Sequence, residues 1–104
     1  MLEYKMEKAD DNCNVLLNGD LDIDSTELVN NELVPKLKYE THIYLNFEDV
    51  NFVDSSGMGL LIQLVNQLKD EKQLIRIVNV KEDILEVFDL LQIPEIIGEN
   101  VIVK

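Results

Sequence analysis

The first third of the chain begins with an alternation of apolar and polar residues. Leu2, Tyr4 and Met6 alternate with charged residues, a period of two that is typical of a half-buried strand. A polar turn over residues 10–12 follows, and residues 13–17 form a second apolar stretch that ends at Gly19. The pattern therefore predicts a β-hairpin at the start of the chain.

A helical period replaces this alternation after residue 23. Asp24 and Glu27 have the spacing of an N-cap residue and its partner in the first turn, which predicts a helix start. The apolar residues beyond them fall on one helical face, namely Leu28, Val29, Leu33, Val34 and Leu37. Pro35 has no N–H group and predicts a kink or a shortened helix.

The remaining two thirds alternate between the two periods. The predicted elements are a strand over 42–47, a connection over 48–52, a helix from 54 to 68, a charged turn over 69–73, a strand over 74–80, a helix over 84–91 that Pro94 stops, and a short terminal strand within 96–103. The order β-β-α-β-α-β-α-β predicts an α/β sheet with helices packed against it. The pattern leaves open whether the last residues form strand or helix.

Composition narrows the range of functions. The chain has 104 residues, which suits one domain over residues 1–104. Nine Lys and Arg against 21 Asp and Glu give a net charge of −12, so we expect no direct binding to nucleic acid or to an anionic membrane. The first residues lack the apolar core of a signal peptide, and we expect a cytoplasmic protein. The single cysteine, Cys13, is interpreted as a small buried thiol.

The most informative segment joins a predicted strand to a predicted helix. It places Asp54, Ser55 and Ser56 where the N–H groups of a first helical turn need acceptors, and spacing alone favours a simple capping role. The alternative is an exposed serine that the helix end presents to another protein. Gly57 and Gly59 favour this second interpretation, because they weaken a helix but clear side chains from around the serines.

A second polar segment carries alternating carboxylates. Asp20, Asp22 and Asp24 have the spacing that begins a calcium-binding loop. The match then fails, because Ser25 stands where the loop needs glycine and Asn31 where it needs glutamate. We therefore predict no metal site, and the chain has no phosphate-binding loop or cysteine pair that would indicate a cofactor.

Two catalytic interpretations of the serine segment are weak. A serine nucleophile needs a general base, and the only histidine, His42, precedes the strand at its opposite end. A phosphotransfer receiver with Asp54 as acceptor would need an acidic pair for magnesium and a late lysine. For these roles the chain offers only Glu3 and Lys81.

These segments resemble a known family. Gly19-Asp20-Leu21-Asp22 and the stretch 46–59, which ends Asp54-Ser55-Ser56-Gly57-Met58-Gly59, are similar to the STAS domain of bacterial anti-sigma factor antagonists over nearly the whole chain. The resemblance implies an α/β fold, a single STAS domain over 1–104. Its mixed sheet would have about four to five strands with helices packed on one face.

The resemblance also implies a function without intrinsic catalysis. Ser55 would be phosphorylated by a partner anti-sigma factor that is also a serine kinase, and a metal-dependent serine phosphatase would reverse this. The unphosphorylated form would bind the anti-sigma factor and free the sigma factor. Supporting or partner-contacting roles would fall to Asp22, Asp54, Ser56, Gly57, Met58 and Gly59. A monomer is expected.

Two functions on the same fold remain as alternatives. One is a scaffold of the stressosome type with a different protein partner. The other is a small-ligand sensor, which a large cavity beneath the helices would favour.

Overall fold

A four-stranded mixed sheet forms the centre of the molecule. The computed structural model describes residues 1–70 and 73–103. The strands are β1 (Glu3–Ala9), β2 (Asn12–Leu21), β3 (His42–Val53) and β4 (Leu74–Val78), and they lie in the order β1-β2-β3-β4. The pair β1 and β2 is antiparallel, whereas β2, β3 and β4 are parallel. The predicted hairpin and the implied mixed sheet are confirmed.

Within the described ranges, seven helical segments connect these strands or follow them. They are a 3-10 helix (Ile23–Ser25), α1 (Thr26–Leu28), a π-helix (Val29–Leu33), α2 (Val34–Leu37), α3 (Ser55–Asp70), α4 (Glu82–Leu90) and α5 (Ile93–Ile97). Both parallel crossovers step across the sheet in the same direction, so right-handed connections place their helices on the same face. That face is buried through alternate strand residues, which include Cys13, Val15, Leu17, Ile43, Leu45, Phe47, Ile75 and Ile77.

Strand β3 is longer than the pattern predicts, and the connection expected over 48–52 is wrong. Its pairing with β2 shifts register between Leu16 and Asn18 and again between Gly19 and Asp20. Each shift places an extra residue on β3, so the period of two is lost although the strand continues. Gly19 does not end β2 either. It adopts φ +115°, and the strand runs on to Leu21.

The first helical region also differs from its prediction. The N-cap is Asp22 rather than Asp24, and Ser25 completes a reciprocal capping box with it. Before Pro35 the helix widens into a π-turn, in which the Val34 N–H donates to the Val29 carbonyl. Pro35 cannot donate a backbone hydrogen bond at the next position. The helix is not shortened there, since α2 continues to Leu37, and the irregularity beside the proline is the π-turn.

The C-terminal segment corrects two predictions. Pro94 does not simply stop a helix. Helix α4 ends at Leu90, Gln92 adopts a left-handed conformation, and Pro94 lies in the first turn of α5. Residues 96 and 97 are therefore helical, and the predicted terminal strand is reduced to one parallel bridge between Ile77 and Ile102. The charged turn predicted over 69–73 includes residues 71 and 72, which lie outside the described residues.

The helices of the described ranges are all too short or too polar to cross a membrane.

Candidate functional site

The two segments singled out in the sequence meet at one edge of the sheet. Strands β2 and β3 are parallel and end side by side, with Leu21 opposite Val53. The N–H of Asp54 donates to the carbonyl oxygen of Leu21 at 3.3 Å. Asp22 and Asp54 therefore follow neighbouring strands at the same end of the sheet.

Asp54 is the cap of α3. Its Oδ1 accepts a hydrogen bond from the N–H of Gly57 at 2.8 Å, and its carbonyl accepts from the N–H of Met58 at 2.8 Å. The capping interpretation is thus correct for Asp54, whose carboxylate serves the first turn of the helix. Ser55 and Ser56 are the first two residues of α3, and both are exposed.

The residues around the serines fall into an inner and an outer group. Gly57 is buried, and a Cβ there would lie 1.9 Å from the carbonyl oxygen of Leu21. Met58 is also buried, within the core. Gly59 is exposed, and a Cβ there would meet nothing within 4 Å. Of the proposed site residues, Gly57 and Met58 therefore support the helix start from inside and offer no exposed contact surface.

Asp22 is bound into its own turn. Its Oδ1 accepts from the N–H of Asp24 at 3.1 Å, while its N–H donates to Ser25 Oγ at 3.3 Å. The Ser25 hydroxyl in turn donates to the carbonyl of Asp20 at 3.2 Å, and Ser25 is the buried polar residue of this loop. Sequence reasoning missed the structural role of Ser25, although the spacing Asp-x-x-Ser from 22 to 25 is itself a capping signal.

Two exposed apolar side chains lie at this same edge of the sheet. Ile23 is 66% exposed at the start of the 3-10 helix, and Phe52 is 53% exposed one residue before β3 ends. A third loop reaches the same edge, where Lys81 Nζ donates to Asn51 Oδ1 at 2.9 Å. The sequence pattern gave no sign that Phe52 is exposed, because the bulges in β3 change which residues face outward.

The rival chemical interpretations find little support in this geometry. His42 begins β3, whereas the serines follow its last residue, so they lie at opposite ends of the strand. The apolar cavity between β2 and the helices, lined by residues such as Leu17, Leu33 and Leu61, measures only about 10 Å³, enough for about one water molecule. It cannot hold a ligand. Cys13 is buried as expected, and burial raises the pKa of its thiol.

Together, the strand order, the helices on one face and the capped serine segment after the long parallel strand define a small α/β domain of the STAS type. A sequence model of the STAS domain matches residues 3–103, and the chain belongs to the STAS domain family. An anti-sigma-B factor antagonist of Staphylococcus epidermidis is 28% identical over 92 residues, which are 88% of this chain and 85% of that protein.

Solved structures show the same fold. The anti-sigma factor antagonist SpoIIAA in its unphosphorylated form has a TM-score of 0.64 and 24% identity, covering 85% of this chain and 83% of that one. The Bacillus cell fate determinant SpoIIAA in its phosphorylated form has a TM-score of 0.67 and 21% identity, covering 97% and 89%.

Proposed function

We propose that this chain is an anti-sigma factor antagonist controlled by phosphorylation of Ser55. In the unphosphorylated state it binds an anti-sigma factor that is also a serine kinase, and the sigma factor is released. Phosphorylation ends this binding, and a metal-dependent serine phosphatase restores it. The protein acts as a cytoplasmic monomer, and catalysis belongs to its partners.

The observation that carries this proposal is the position of Ser55. It is exposed at the first residue of a 16-residue helix. The Asp54 cap and the close approach of Gly57 to Leu21 hold the start of that helix. A kinase therefore finds an accessible hydroxyl on a rigid support. Ser56 is exposed as well, and the family resemblance selects Ser55.

Phosphorylation changes the charge of this edge without requiring the fold to change. A phosphoserine adds about −1.5 to −2 charge, and a helix N-terminus stabilises negative charge. The carboxylates of Asp22 and Asp54 follow the neighbouring strands at the same edge and oppose the added charge. The expected effect is therefore local, through repulsion or steric blocking of the partner.

Ile23 and Phe52 suit the contact surface of this edge. Both are apolar and more than half exposed, on the loop after β2 and at the end of β3. Apolar anchors near the centre of an interface commonly contribute most of its binding energy. We place the anti-sigma factor over these two side chains and the start of α3.

Phosphosite mapping tests the assignment of Ser55. The kinase transfers the γ-phosphoryl group of ATP to the serine oxygen, releasing ADP and the hydroxyl proton. Incubation with the cognate kinase and ATP, followed by mass spectrometry, is expected to place one phosphate on Ser55. Ser55→Ala should abolish it, and the matched control Ser56→Ala should leave it unchanged. Phosphate on Ser56 alone, or none, rejects the assignment.

Binding measurements test the role of charge. Ser55→Ala is expected to bind the anti-sigma factor as the unmodified protein does, because it removes only the phosphate acceptor. Ser55→Asp should weaken binding. Full phosphorylation should weaken it by about a thousandfold, which corresponds to roughly 4 kcal/mol. Isothermal titration calorimetry measures both. Unchanged affinity after phosphorylation would favour the alternative of a scaffold with another partner.

A further inference from the structure

Helix α4 and the residue after it expose apolar side chains that are not buried in the core. Ile84 and Phe88 face the core, whereas Val87, Leu90 and Leu91 are 38%, 80% and 47% exposed. The exposed three are spaced three and four residues apart, so they form one continuous strip on the helix. Exposed apolar clusters of this kind commonly mark sites of protein contact.

Carboxylates extend the same strip toward the start of the helix. Glu82 and Glu86 precede Leu90 at intervals of four residues, and Asp83 precedes Val87 and Leu91 in the same way. All three carboxylates are exposed. We call the six residues Glu82, Asp83, Glu86, Val87, Leu90 and Leu91 the α4 surface: its first half is acidic and its second half apolar.

The stretch that begins with α4 is acidic, with Lys81 directly before it and Lys69 of α3 hydrogen-bonded to Ile97 within it. From residue 82 to residue 103 the chain carries six carboxylates and no Lys, Arg or His. Acidic residues in the first turn stabilise their own helix, which explains Glu82 and Asp83. It does not explain Glu86 in the next turn, or the exposed leucines.

The apolar half of the α4 surface lies far from Ser55. Helix α4 begins after β4, at the edge that holds the serines, and runs back toward the opposite edge. There Lys69, about 21 Å along α3 from Ser55, donates from its Nζ to the carbonyl of Ile97 in α5. A partner on Leu90 and Leu91 would therefore not cover the proposed phosphorylation site.

We propose that the α4 surface is a second docking site, and that its occupant is an amphipathic helix of a partner protein with Lys or Arg beside its apolar face. The apolar strip can pack against the apolar face of such a helix, as two helices pack ridge into groove, and the carboxylates supply the complementary charge. A second copy of this chain would bring two sets of carboxylates together, and an anionic membrane would be repelled.

A designed peptide provides the direct test. The ¹⁵N-labelled chain is titrated with a peptide of about 18 residues that has leucines on one helical face and lysines beside them. A second peptide keeps the leucines and replaces the lysines by glutamates. We expect amide shifts confined to α4 and α5 with the lysine peptide, and at least tenfold weaker binding of the glutamate peptide.

Matched variants locate the site. Leu90 is the most exposed of the three apolar residues, so Leu90→Ser should keep the fold, which circular dichroism checks. The variant should bind the lysine peptide about tenfold more weakly. Glu86→Lys should weaken binding of the lysine peptide, because it replaces an attractive charge by a repulsive one, and this effect should be smaller at high salt. Ile23→Ser, an exposed apolar change at the serine edge, and Ser55→Asp should leave this affinity unchanged.

Three results would overturn the proposal. One is binding of both peptides with equal affinity. Another is amide shifts centred on the serine edge. The third is sedimentation showing that the unmodified chain dimerises and that Leu90→Ser abolishes the dimer, since a second copy would then occupy the α4 surface. Failure of Ser55 phosphorylation would not affect any of these measurements.

Discussion

At the scale of single residues, the two glycines at the start of α3 have opposite structural roles. Gly57 lets the helix approach β2, because any Cβ there would collide with the carbonyl oxygen of Leu21. Gly59 has open space around the position of its missing Cβ. The sequence suggests that both glycines clear room around the serines, and the structure shows that Gly57 makes room for the protein's own backbone.

This difference predicts opposite effects of alanine. Gly57→Ala should lower the free energy of unfolding by about 3 kcal/mol, because the new methyl group meets backbone that cannot move aside easily. Gly59→Ala should raise it by about 0.5–1 kcal/mol through helix propensity. Urea denaturation with linear extrapolation measures both. Equal stability of the two variants would show that α3 is not held against β2 as described.

At the scale of elements, local sequence signals predicted the type of each main helix and strand better than its ends. The helix that begins at Ser55 was predicted from the Asp54 cap and the apolar period beyond it, and both are present. The extent of β3 was not predictable, since two bulges break the alternation that identifies a strand. The short terminal strand was predicted too long, because only Ile102 pairs, with Ile77, and local sequence does not encode how far such a contact extends.

The capping box at Asp22 leads to a prediction that separates stability from function. Asp22→Ala should lower the free energy of unfolding by about 1 kcal/mol, because the turn loses its acceptor. Asp22→Asn should retain most of that stability, since asparagine caps as well as aspartate does. Thermal and urea denaturation measure the difference, with Asp24→Ala as the control, expected within about 0.5 kcal/mol of the unmodified protein.

The same pair of variants tests whether the Asp22 charge assists the kinase. A slower phosphorylation of Ser55 in the stable Asp22→Asn variant would support a role for the carboxylate in orienting the hydroxyl or the nucleotide. An unchanged rate would restrict Asp22 to capping.

At the scale of the whole molecule, the net charge of −12 acts on every part of the fold. Lys8 and Glu40 form an ion pair at 2.7 Å, and the hydrogen bond that the Lys8 ammonium donates to the Glu40 carboxylate raises the pKa of Lys8. Lys8 is mostly exposed, so this pair contributes little to stability. Mutual repulsion among the excess carboxylates therefore remains a destabilising term for the folded state.

Salt should relieve this repulsion. We expect the melting temperature at pH 7 to rise by a few degrees between about 0.02 and 0.5 M NaCl, because screening weakens interactions between like charges. Differential scanning calorimetry measures the rise. At pH 5, nearer the isoelectric point of about 4.2, the same salt step should produce a smaller change. A fall at pH 7 would show that attractive ion pairs outweigh the repulsion.

The sequence identified the serine segment, but the surfaces on each side of it depend on the assembled fold. Asp22 and Asp54 could be placed together once parallel strands were assumed. The exposure of Ile23 and Phe52, and the burial of Met58, follow from bulges and packing that bring distant residues together. A contact surface is therefore harder to predict from sequence than the serine that is proposed to regulate it.

Helix α3 packs closely against β2 at Gly57, and this packing limits which residues a duplicated copy of the domain can exchange. The residue that shapes the loop and the residue that would carry the phosphate are different, so the phosphate acceptor can be lost without the fold, whereas loss of the fold removes the regulation as well. Under the function proposed above, a duplicated copy that exchanged Ser55 for alanine would keep its architecture and could no longer be switched off by phosphorylation. A copy that exchanged Gly57 would lose the architecture, and its regulation with it.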